Sequence, residues 1–348
     1  MKKRKVAICH AQVPFFYGGG ELHAESLKKE LLKRNYDADI ITLPYKWYPN
    51  EQLVQSMLNW RLIDLSESNG EKIDLVIPMK FPSYGVQHSN KVVWLMHQFR
   101  QVYDLFGTQY SEFDHTPESL STRELVKRFD QNSLNECNKL FTTSNNNANR
   151  LNKYNNINAE VLYHPPKHYG KYYTENYDDY ILSVGRLDKL KRIDLLINAI
   201  KYTDNNVKCI IVGTGPEKEN LQKLIHKLNL EHRIKLVGFI DDTELLHYLA
   251  NCLGVYYAPY DEDYGYVTLE AFLSKKCIIS FEDSGGVLEF VQDNVNGFIL
   301  SHEEQIAEKI NFLYHNKIKA TDFGQAGYNI VQDISWDNVI DRLTETIR

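Results

Sequence analysis

Residues 180–200 read YILSV-GRLDKLKRID-LLINAI, which is an apolar run, a charged loop and an amphipathic run. The first run is short and apolar, as a buried strand is, and the last has the apolar spacing of a helix face. The same alternation continues along both halves of the chain. Parallel sheets with crossover helices have this pattern, so the sequence predicts an α/β fold.

Each half is predicted to be one doubly wound, Rossmann-like unit. The predicted strands of the first half are Val6–Cys9, Asp39–Leu43, Leu75–Pro78, Val92–His97, Leu140–Thr143 and Val161–Tyr163. Those of the second half are Tyr180–Val184, Cys209–Val212, Ile234–Val237, Val255–Ala258, Cys277–Ser280 and Phe298–Leu300. The predicted helices are Glu21–Arg34, Gln52–Leu65, Leu195–Tyr202, Glu217–Leu228, Asp242–Ala250 and Glu303–His315.

The chain has 348 residues, enough for two domains that each bury a core. The pattern stops at 164–179, where Pro165, Pro166 and Gly170 punctuate a Tyr-rich segment. We therefore expect one domain over 1–165 and a second over 166–335. Two facing domains of this kind leave a cleft. Ligands of open α/β sheets bind beyond the carboxyl ends of the strands, so we look for function in the loops that follow strands.

Composition narrows the function classes. A net charge of −6 and a pI of about 6.1 argue against a nucleic-acid partner. The five cysteines are widely spaced, which indicates neither disulfides nor a zinc site and fits a reducing cytoplasm. Four apolar residues after the basic N-terminus are too few for a signal peptide, and no stretch has the ~20 needed to cross a bilayer. We expect a cytoplasmic protein, with any membrane contact peripheral and at the inner face.

An acidic loop follows the predicted strand Val255–Ala258 and leads through Gly265 into a helix. Glu262 lies in the loop and Glu270 about one turn into the helix. Backbone N–H groups from Gly265 to Thr268 would be free at the helix start and suit a phosphate, while carboxylates suit sugar hydroxyls. The alternative is a solvated acidic loop with Glu270 favoured by the helix dipole.

A cationic loop follows the strand Tyr180–Val184. Arg186 offers a planar fork of donors and Lys191 a point charge, and together they could hold a diphosphate. Surface basic residues before a helix are the alternative interpretation. Lys189 and Arg192 are expected to be solvated.

Other strand ends carry weaker signals. Gly213 and Gly215 follow a strand and precede a helix, so Gly213 is a candidate ligand-binding residue. Because the third glycine of the dinucleotide-binding motif is lacking, the alternative is a turn with a structural role only. Phe239 could lie beside a nucleobase or in the core.

The first half carries two further candidates. Gly18, Gly19 and Gly20 precede the first long helix and would let backbone approach a ligand closely, or form a flexible loop. His97 at a strand end could donate to a sugar or phosphate, or be structural.

Acidic residues suggest one metal alternative. Asp261-Glu-Asp263 resembles an Asp-x-Asp motif that holds a divalent metal through nucleotide phosphates in single-domain enzymes. We expect no metal here, because those enzymes carry the triplet near the middle of their one domain, whereas here it lies late in the second of two domains.

Taken together, these motifs resemble the donor half of the family-four retaining glycosyltransferases, which have the GT-B fold and are typical of bacterial cell-surface polysaccharide synthesis. The motifs are Gly185-Arg186-Leu-x₃-Lys191, Gly213-x-Gly215-Pro, Val-Gly238-Phe239, Glu262-x₂-Gly265-x₄-Glu270 and Ser284-Gly-Gly286-x₂-Glu289. With the glycine-rich first loop, His97 and Asn296-Gly297-Phe, the resemblance covers nearly the whole chain.

The resemblance implies roles for individual residues. Arg186 and Lys191 would clamp a diphosphate, Glu270 would bind the ribose, and Glu262 would bind hydroxyls of the transferred sugar. The remaining implied contacts with the donor come from Gly19, Gly20, His97, Gly265, Tyr266, Val267 and Thr268. The final helix, within 336–348, would cross back to the first domain.

The implied reaction is metal-independent transfer of a hexosyl group, with retention, from a UDP- or GDP-sugar to a glycan, lipid-linked or other hydroxyl acceptor. The nucleotide sugar is a co-substrate and no other cofactor is expected. Segments 80–84 and 99–106 are predicted to face the acceptor. Alternatives are a glycosidase, which the cationic loop argues against, a nucleotide-sugar epimerase on the same fold, and a non-catalytic nucleotide-sugar-binding protein.

Overall fold

The computed structural model describes residues 2–15, 17–111 and 113–347. Contacts between residues divide the chain into two compact units. The first unit contains 1–167 and 335–348, and the second contains 168–334. Each unit combines parallel strands with helices, so the prediction of an α/β fold is confirmed for both.

The elements follow in chain order. The strands are β1 Lys5–Gln12, β2 Asp37–Pro44, β3 Glu67–Ser68, β4 Glu71–Lys72, β5 Leu75–Pro78, β6 Val92–Leu95, β7 Lys139–Thr142, β8 Glu160–Val161, β9 Tyr180–Val184, β10 Lys208–Val212, β11 Ile234–Gly238, β12 Gly254–Tyr256, β13 Ile278–Phe281 and β14 Gly297–Leu300. The helices are α1 Gly19–Lys33, α2 Glu51–Leu62, α3 Pro117–Asn135, α4 Asn145–Asn155, α5 Ile193–Ile200, α6 Lys218–Lys227, α7 Asp242–Asn251, α8 Tyr266–Leu273, α9 Gln305–His315, α10 Lys317–Val331 and α11 Trp336–Leu343.

The first unit has two parallel sheets, ordered β2-β1-β5 and β6-β7-β8. A parallel bridge between Val76 and Lys91 joins β5 to the start of β6. The apolar faces of β1, β5 and β6 bury Ile8, Ile77 and Trp94 against α1, forming the core of this unit. The short hairpin β3–β4 is antiparallel.

Helix α11 packs on the core of the first unit, as the resemblance implied. Val339, Ile340 and Leu343 are buried there, and the Trp336 ring meets the Trp94 ring edge-on with centroids 6.3 Å apart. Burial of each such side chain contributes roughly 1.5–3 kcal/mol. The last fourteen residues therefore complete the first unit, although the second unit separates them from it in sequence.

The second unit, every residue of which is described, has one parallel sheet ordered β11-β10-β9-β12-β13-β14. Its chain starts at β9 in the middle, winds outward to β11, and returns to β12 on the other side. This is the order of the classical dinucleotide-binding sheet, and its direction reverses between β9 and β12. Helices α5, α6 and α9 bury their apolar faces against the sheet, with Leu196, Leu221 and Ile310 in the core.

Candidate functional site

The topological switch point of the second unit brings together the two loops singled out by sequence. The loop after β9 begins at Gly185, and the loop after β12 begins at Tyr257. A backbone hydrogen bond from Tyr260 N to Leu190 O, 2.8 Å long, joins them. Loops beyond the carboxyl ends of β9 and β12 are where an open α/β sheet binds its ligands.

Lys191 and Glu262 form an ion pair across these two loops. Each side chain is 20% exposed, so the pair is shielded but can still be reached. The Tyr257 hydroxyl donates to the same carboxylate oxygen of Glu262 over 3.0 Å. Burial alone would lower the pKa of Lys191, but the Glu262 carboxylate outweighs it and raises that pKa above its ordinary value. Lys191 is therefore a permanent cation at the switch point.

Arg186 lies in the same loop as Lys191, but its side chain is 53% exposed. Its Nε is 3.9 Å from Asp188 Oδ2, a distance at which charges attract without a hydrogen bond. Of the two candidate diphosphate ligands in this loop, Arg186 is thus exposed and Lys191 is shielded.

Arg192 is not solvated, contrary to the sequence-based expectation. Its guanidinium binds both carboxylate oxygens of Asp283, at 2.8 and 2.6 Å, and its Nε donates to Ala258 O over 2.7 Å. These bonds tie the loop after β9 to the loops after β12 and β13. Sequence gives no signal for this contact, because Asp283 lies 91 positions away from Arg192.

Helix α8 begins immediately after Gly265, whose φ is 82°. A left-handed φ favours glycine, and a Cβ there would also lie 3.0 Å from Val287 Cγ2. The Thr268 amide donates to Gly265 O over 3.0 Å, so it is not the free donor that we predicted. Val267 and Thr268 bury their side chains, whereas the Tyr266 side chain is half-buried.

Glu270 lies on α8 and accepts a hydrogen bond from the Tyr172 hydroxyl, at 3.3 Å from Oε1. Glu262 thus contacts a lysine and a tyrosine, whereas Glu270 contacts a different tyrosine. The sequence analysis missed both tyrosines. Tyr257 is a strand-end residue that could have been noticed, whereas Tyr172 lies in the segment treated as linker.

The remaining candidates of this unit differ in outcome. The Gly213 amide donates to Gly238 O over 2.8 Å, and a Cβ on Gly213 would lie 1.8 Å from Gly185 O. The backbone contact explains why a glycine stands at 213, and a role of Gly213 in binding the nucleotide sugar stays a prediction. Phe239 is 87% exposed, which shows that its interpretation as a core aromatic is wrong.

In the first unit, Gly19 starts α1 and Gly20 follows it. A Cβ on Gly20 would lie 3.2 Å from His10 Cε1 and 3.4 Å from Lys80 Nζ. His97 follows the end of β6 at Leu95, outside the strand in which we placed it, and its Nδ1 lies 2.7 Å from Gln98 O.

A buried polar cluster beneath this loop was missed by sequence. Glu21 accepts from the Gly18 amide at 2.8 Å, and its other oxygen lies 3.1 Å from His10 Nε2 and 3.4 Å from Lys80 Nζ. Burial alone would raise the pKa of Glu21, but its hydrogen bond with His10 and the charge of Lys80 lower it to about 2. The cluster fixes the glycine loop to the ends of β1 and β5.

Three aromatic rings of the predicted acceptor segments lie in the core. Phe81 and Tyr84 are 3% and 0% exposed and pack with Tyr103 in one hydrophobic cluster, so these rings are closed to a ligand. Phe99 and Phe106 are only partly buried, and the acceptor role of these segments stays a prediction.

Among the described residues, no group of three or more His, Cys, Asp or Glu side chains is placed to hold a metal ion. Within the same residues, no helix has the length and apolar character to cross a bilayer.

Comparison with known proteins gives a family match whose limits agree with those of the second unit. Residues 171–330 match the family model Glycosyl transferases group 1. The match covers nearly all of the second unit, which contains 168–334. The five motifs that resemble the donor half of the family, from Gly185 to Glu289, lie inside the matched residues.

One curated relative of the chain is the poly(ribitol-phosphate) alpha-N-acetylglucosaminyltransferase of Staphylococcus aureus (strain COL). It is 28% identical over 191 residues, which cover 53% of this chain and 37% of the relative. The chain spans from 37% to 50% of the length of three curated relatives that it matches.

Solved structures show the fold of the whole chain. Sucrose-phosphate synthase from Thermosynechococcus elongatus superposes with a TM-score of 0.80 at 16% identity, covering 99% of this chain and 98% of that one. The Anabaena protein Alr3699/HepE, in complex with UDP and glucose, has a TM-score of 0.69 at 18% identity, with 99% of both chains covered. The predicted fold class, α/β with two Rossmann-like units of the GT-B type, is confirmed.

Proposed function

We propose that this protein is a glycosyltransferase that moves a sugar from a UDP- or GDP-sugar to a hydroxyl acceptor in the synthesis of a cell-surface polysaccharide. The observation that carries the proposal is the Lys191–Glu262 pair at the switch point of the unit that matches the family model Glycosyl transferases group 1. A shielded lysine that stays charged suits a diphosphate, and a carboxylate beside it suits sugar hydroxyls. The relative that adds N-acetylglucosamine to poly(ribitol-phosphate) supports the choice of acceptor class.

In the proposed complex, Arg186 and Lys191 bind the diphosphate, Glu270 binds the ribose and Glu262 binds the transferred sugar. The exposed Phe239 lies beside the base. Backbone of Gly265, Tyr266 and Val267 at the start of α8 adds dipoles that favour an anion. For His97, Gly19 and Gly20 we retain the contacts with the donor that the family resemblance implies.

The proposed transfer retains the configuration of the anomeric carbon. The acceptor oxygen bonds to that carbon as the bond to the diphosphate oxygen breaks, and the acceptor's proton passes to the departing phosphate. No protein base is then needed, and the protein contributes position and charge. Because two cations can neutralise the leaving diphosphate, we propose that the reaction is also independent of metal. We place it in the cytoplasm, since all five cysteines are free thiols.

The test is a screen of UDP- and GDP-sugars for release of the nucleoside diphosphate, with and without glycan acceptors. A new glycoside that retains the anomeric configuration, formed equally in the presence of a chelator, is the expected product. An epimerase would convert the sugar nucleotide without an acceptor and without releasing the diphosphate. A glycosidase would cleave an oligosaccharide with no nucleotide present, and a binding protein would bind the donor without turnover.

Three substitutions in the loop after β9 test the diphosphate clamp. We expect Arg186→Ala and Lys191→Ala each to lower turnover about 100-fold, because each removes a charge that stabilises the leaving group. Lys189→Ala is the matched control, since Lys189 is an exposed cation of the same loop. Circular dichroism should show all three folded. Near-normal turnover in both test variants would contradict the assignment.

A further inference from the structure

The first residues of the second unit, 168–178, are fixed along its other elements rather than forming a free linker. The Glu175 amide donates to Ala250 O over 2.9 Å, and the Asp178 amide to Asn251 O over 2.8 Å. The Tyr177 hydroxyl donates to Lys275 O over 2.7 Å. We call residues 168–178 the entry segment. Its backbone therefore follows the end of α7, and one of its side chains reaches the end of α8.

The start of the entry segment is held at a second place. His168 is 7% exposed, and its Nε2 lies 3.2 Å from Asp242 Oδ1, at the beginning of α7. The rings of His168 and Tyr172 meet edge-on with centroids 6.2 Å apart. A turn closed by a 2.8 Å bond from Lys171 N to His168 O sets the spacing between them. Tyr172 is thus supported from both sides along the chain.

The Tyr172 hydroxyl reaches across 98 positions to Glu270 Oε1, at 3.3 Å. Burial and the Glu270 carboxylate both raise the pKa of Tyr172, so the phenol remains a donor at neutral pH. A carboxylate has about four lone-pair sites, so a bond from Tyr172 does not by itself prevent Glu270 from accepting from a ligand.

We propose that Tyr172 is a positioning residue that orients the Glu270 carboxylate for the ribose hydroxyls of the nucleotide. The inference rests on the proposed function, in which Glu270 binds that ribose. The entry segment, which joins the two units, thereby becomes part of the nucleotide site. A carboxylate held by a phenol meets the ribose in one orientation, which improves the discrimination between a ribose and a deoxyribose.

The test measures binding of the nucleoside diphosphate alone by calorimetry. The probe is UDP or GDP, whichever the donor screen identifies, together with its 2′-deoxy and 3′-deoxy forms. We expect the wild type to lose about tenfold in affinity when the hydroxyl bound by Glu270 is missing, as for a hydrogen bond to a charged group. In Tyr172→Phe that loss should shrink to about threefold or less, because the carboxylate is no longer oriented.

Two variants define the limits of the measurement. Glu270→Gln should weaken discrimination at least as much as Tyr172→Phe. Tyr173→Phe alters the neighbouring ring, which is 45% exposed, and should match the wild type. A merely structural role of Tyr172 would lower affinity for the ribose and deoxyribose forms equally. An unchanged ratio in Tyr172→Phe, with a discriminating wild type, would overturn this inference alone.

Two other results would contradict more than the role of Tyr172. If the wild type binds the diphosphate but does not discriminate, the ribose role of Glu270 and this inference both fall, whereas transfer measured in the donor screen would still stand. If the wild type binds neither UDP nor GDP, the proposed function and the inference fall together.

Discussion

At the scale of single residues, the centre of the candidate site is a pair of charges that is already formed before a ligand arrives. Lys191 is bound by Glu262, and Glu262 also accepts from Tyr257. A paired lysine keeps its charge and its position. An incoming diphosphate must, however, bind an ammonium group that also contacts the Glu262 carboxylate. Such pairing lowers the reorganisation needed when negative charge develops on a leaving group.

The Glu21 cluster of the first unit provides a prediction about pH. The pKa of Glu21 is lowered to about 2, so its pairing with His10 and Lys80 stabilises the fold above about pH 4.5 and is lost as the pH falls through about 2. Glu21→Gln should lower the free energy of unfolding by about 2 kcal/mol at pH 7, since Lys80 loses its carboxylate. The difference from wild type should narrow steadily from pH 4.5 towards pH 2 in denaturant titrations.

Glu25→Gln is the control for this measurement, because Glu25 is an exposed residue of the same helix. It should change stability by less than about 0.5 kcal/mol at any pH. A cost of Glu21→Gln that stays constant between pH 7 and pH 3 would show that the pairing with His10 and Lys80 is not its cause.

At the scale of elements, the start of α8 is the feature most sensitive to substitution. Gly265, with a φ of 82°, and Gly70, with a φ of 74°, both have left-handed backbone, but a Cβ meets Val287 Cγ2 at 3.0 Å in the first case and nothing within 4 Å in the second. Both substitutions to alanine carry the left-handed cost of about 1 kcal/mol. Gly265→Ala should lower the free energy of unfolding by about 1 kcal/mol more than the other substitution, because of the contact with Val287. It alone should also weaken diphosphate binding. Thermal unfolding and calorimetry measure the two effects.

Equal effects of the two glycine substitutions on binding would mean that the start of α8 does not contact the nucleotide. Equal effects on stability would mean that the backbone angle, not the contact with Val287, sets the cost at Gly265.

Most strands could be predicted from the sequence, because parallel strands buried on both faces are short continuous apolar runs. Leu75–Pro78 and Tyr180–Val184 have the predicted bounds. Helix α4 was missed because its sequence, NNNANRLNKYN, begins with polar residues of low helix propensity. Its signal was the cap, since the Ser144 hydroxyl accepts from the Asn147 amide.

Helix α10 was missed for a different reason. It contains Gly324 and Gly327, which weaken a helix pattern in sequence. The structure explains Gly324 by packing, since a Cβ there would lie 1.8 Å from Lys275 O. A close approach between α10 and the turn that follows α8 cannot be inferred before it is known that the two pack together.

In the candidate site, too, some residues could be predicted from the sequence and others could not. Lys191 and Glu262 could be predicted from loops that follow strands, because the topology of an α/β sheet brings such loops together. Their partners and supports could not. The Arg192–Asp283 and Tyr172–Glu270 contacts join positions 91 and 98 residues apart, and periodicity carries no information about such pairs.

At the scale of the whole molecule, the chain builds its first unit from two separated pieces. Residues 1–167 lack the apolar face of α11, which the core around Trp94 requires, until 335–348 have been added. The second unit is continuous, from 168 to 334, and has a separate core. Loss of core contacts in one unit should therefore be felt first within that unit.

Two matched leucines test this. Leu343 of α11 and Leu313 of α9 are both 0% exposed, the first in the core of the first unit and the second in that of the second. Each substitution to alanine should cost about 2–5 kcal/mol. Hydrogen exchange followed by mass spectrometry should show faster exchange for peptides of β1 and β6 in Leu343→Ala, and for peptides of β9 and β13 in Leu313→Ala. The result for Leu343→Ala also separates packing from proximity in sequence, because α9 and α10 lie far closer to Leu343 along the chain than β1 does. Relative to the wild type, exchange in Leu343→Ala should rise more in β1 than in α9 and α10. A larger rise in α9 and α10 than in β1 would contradict the division into two cores.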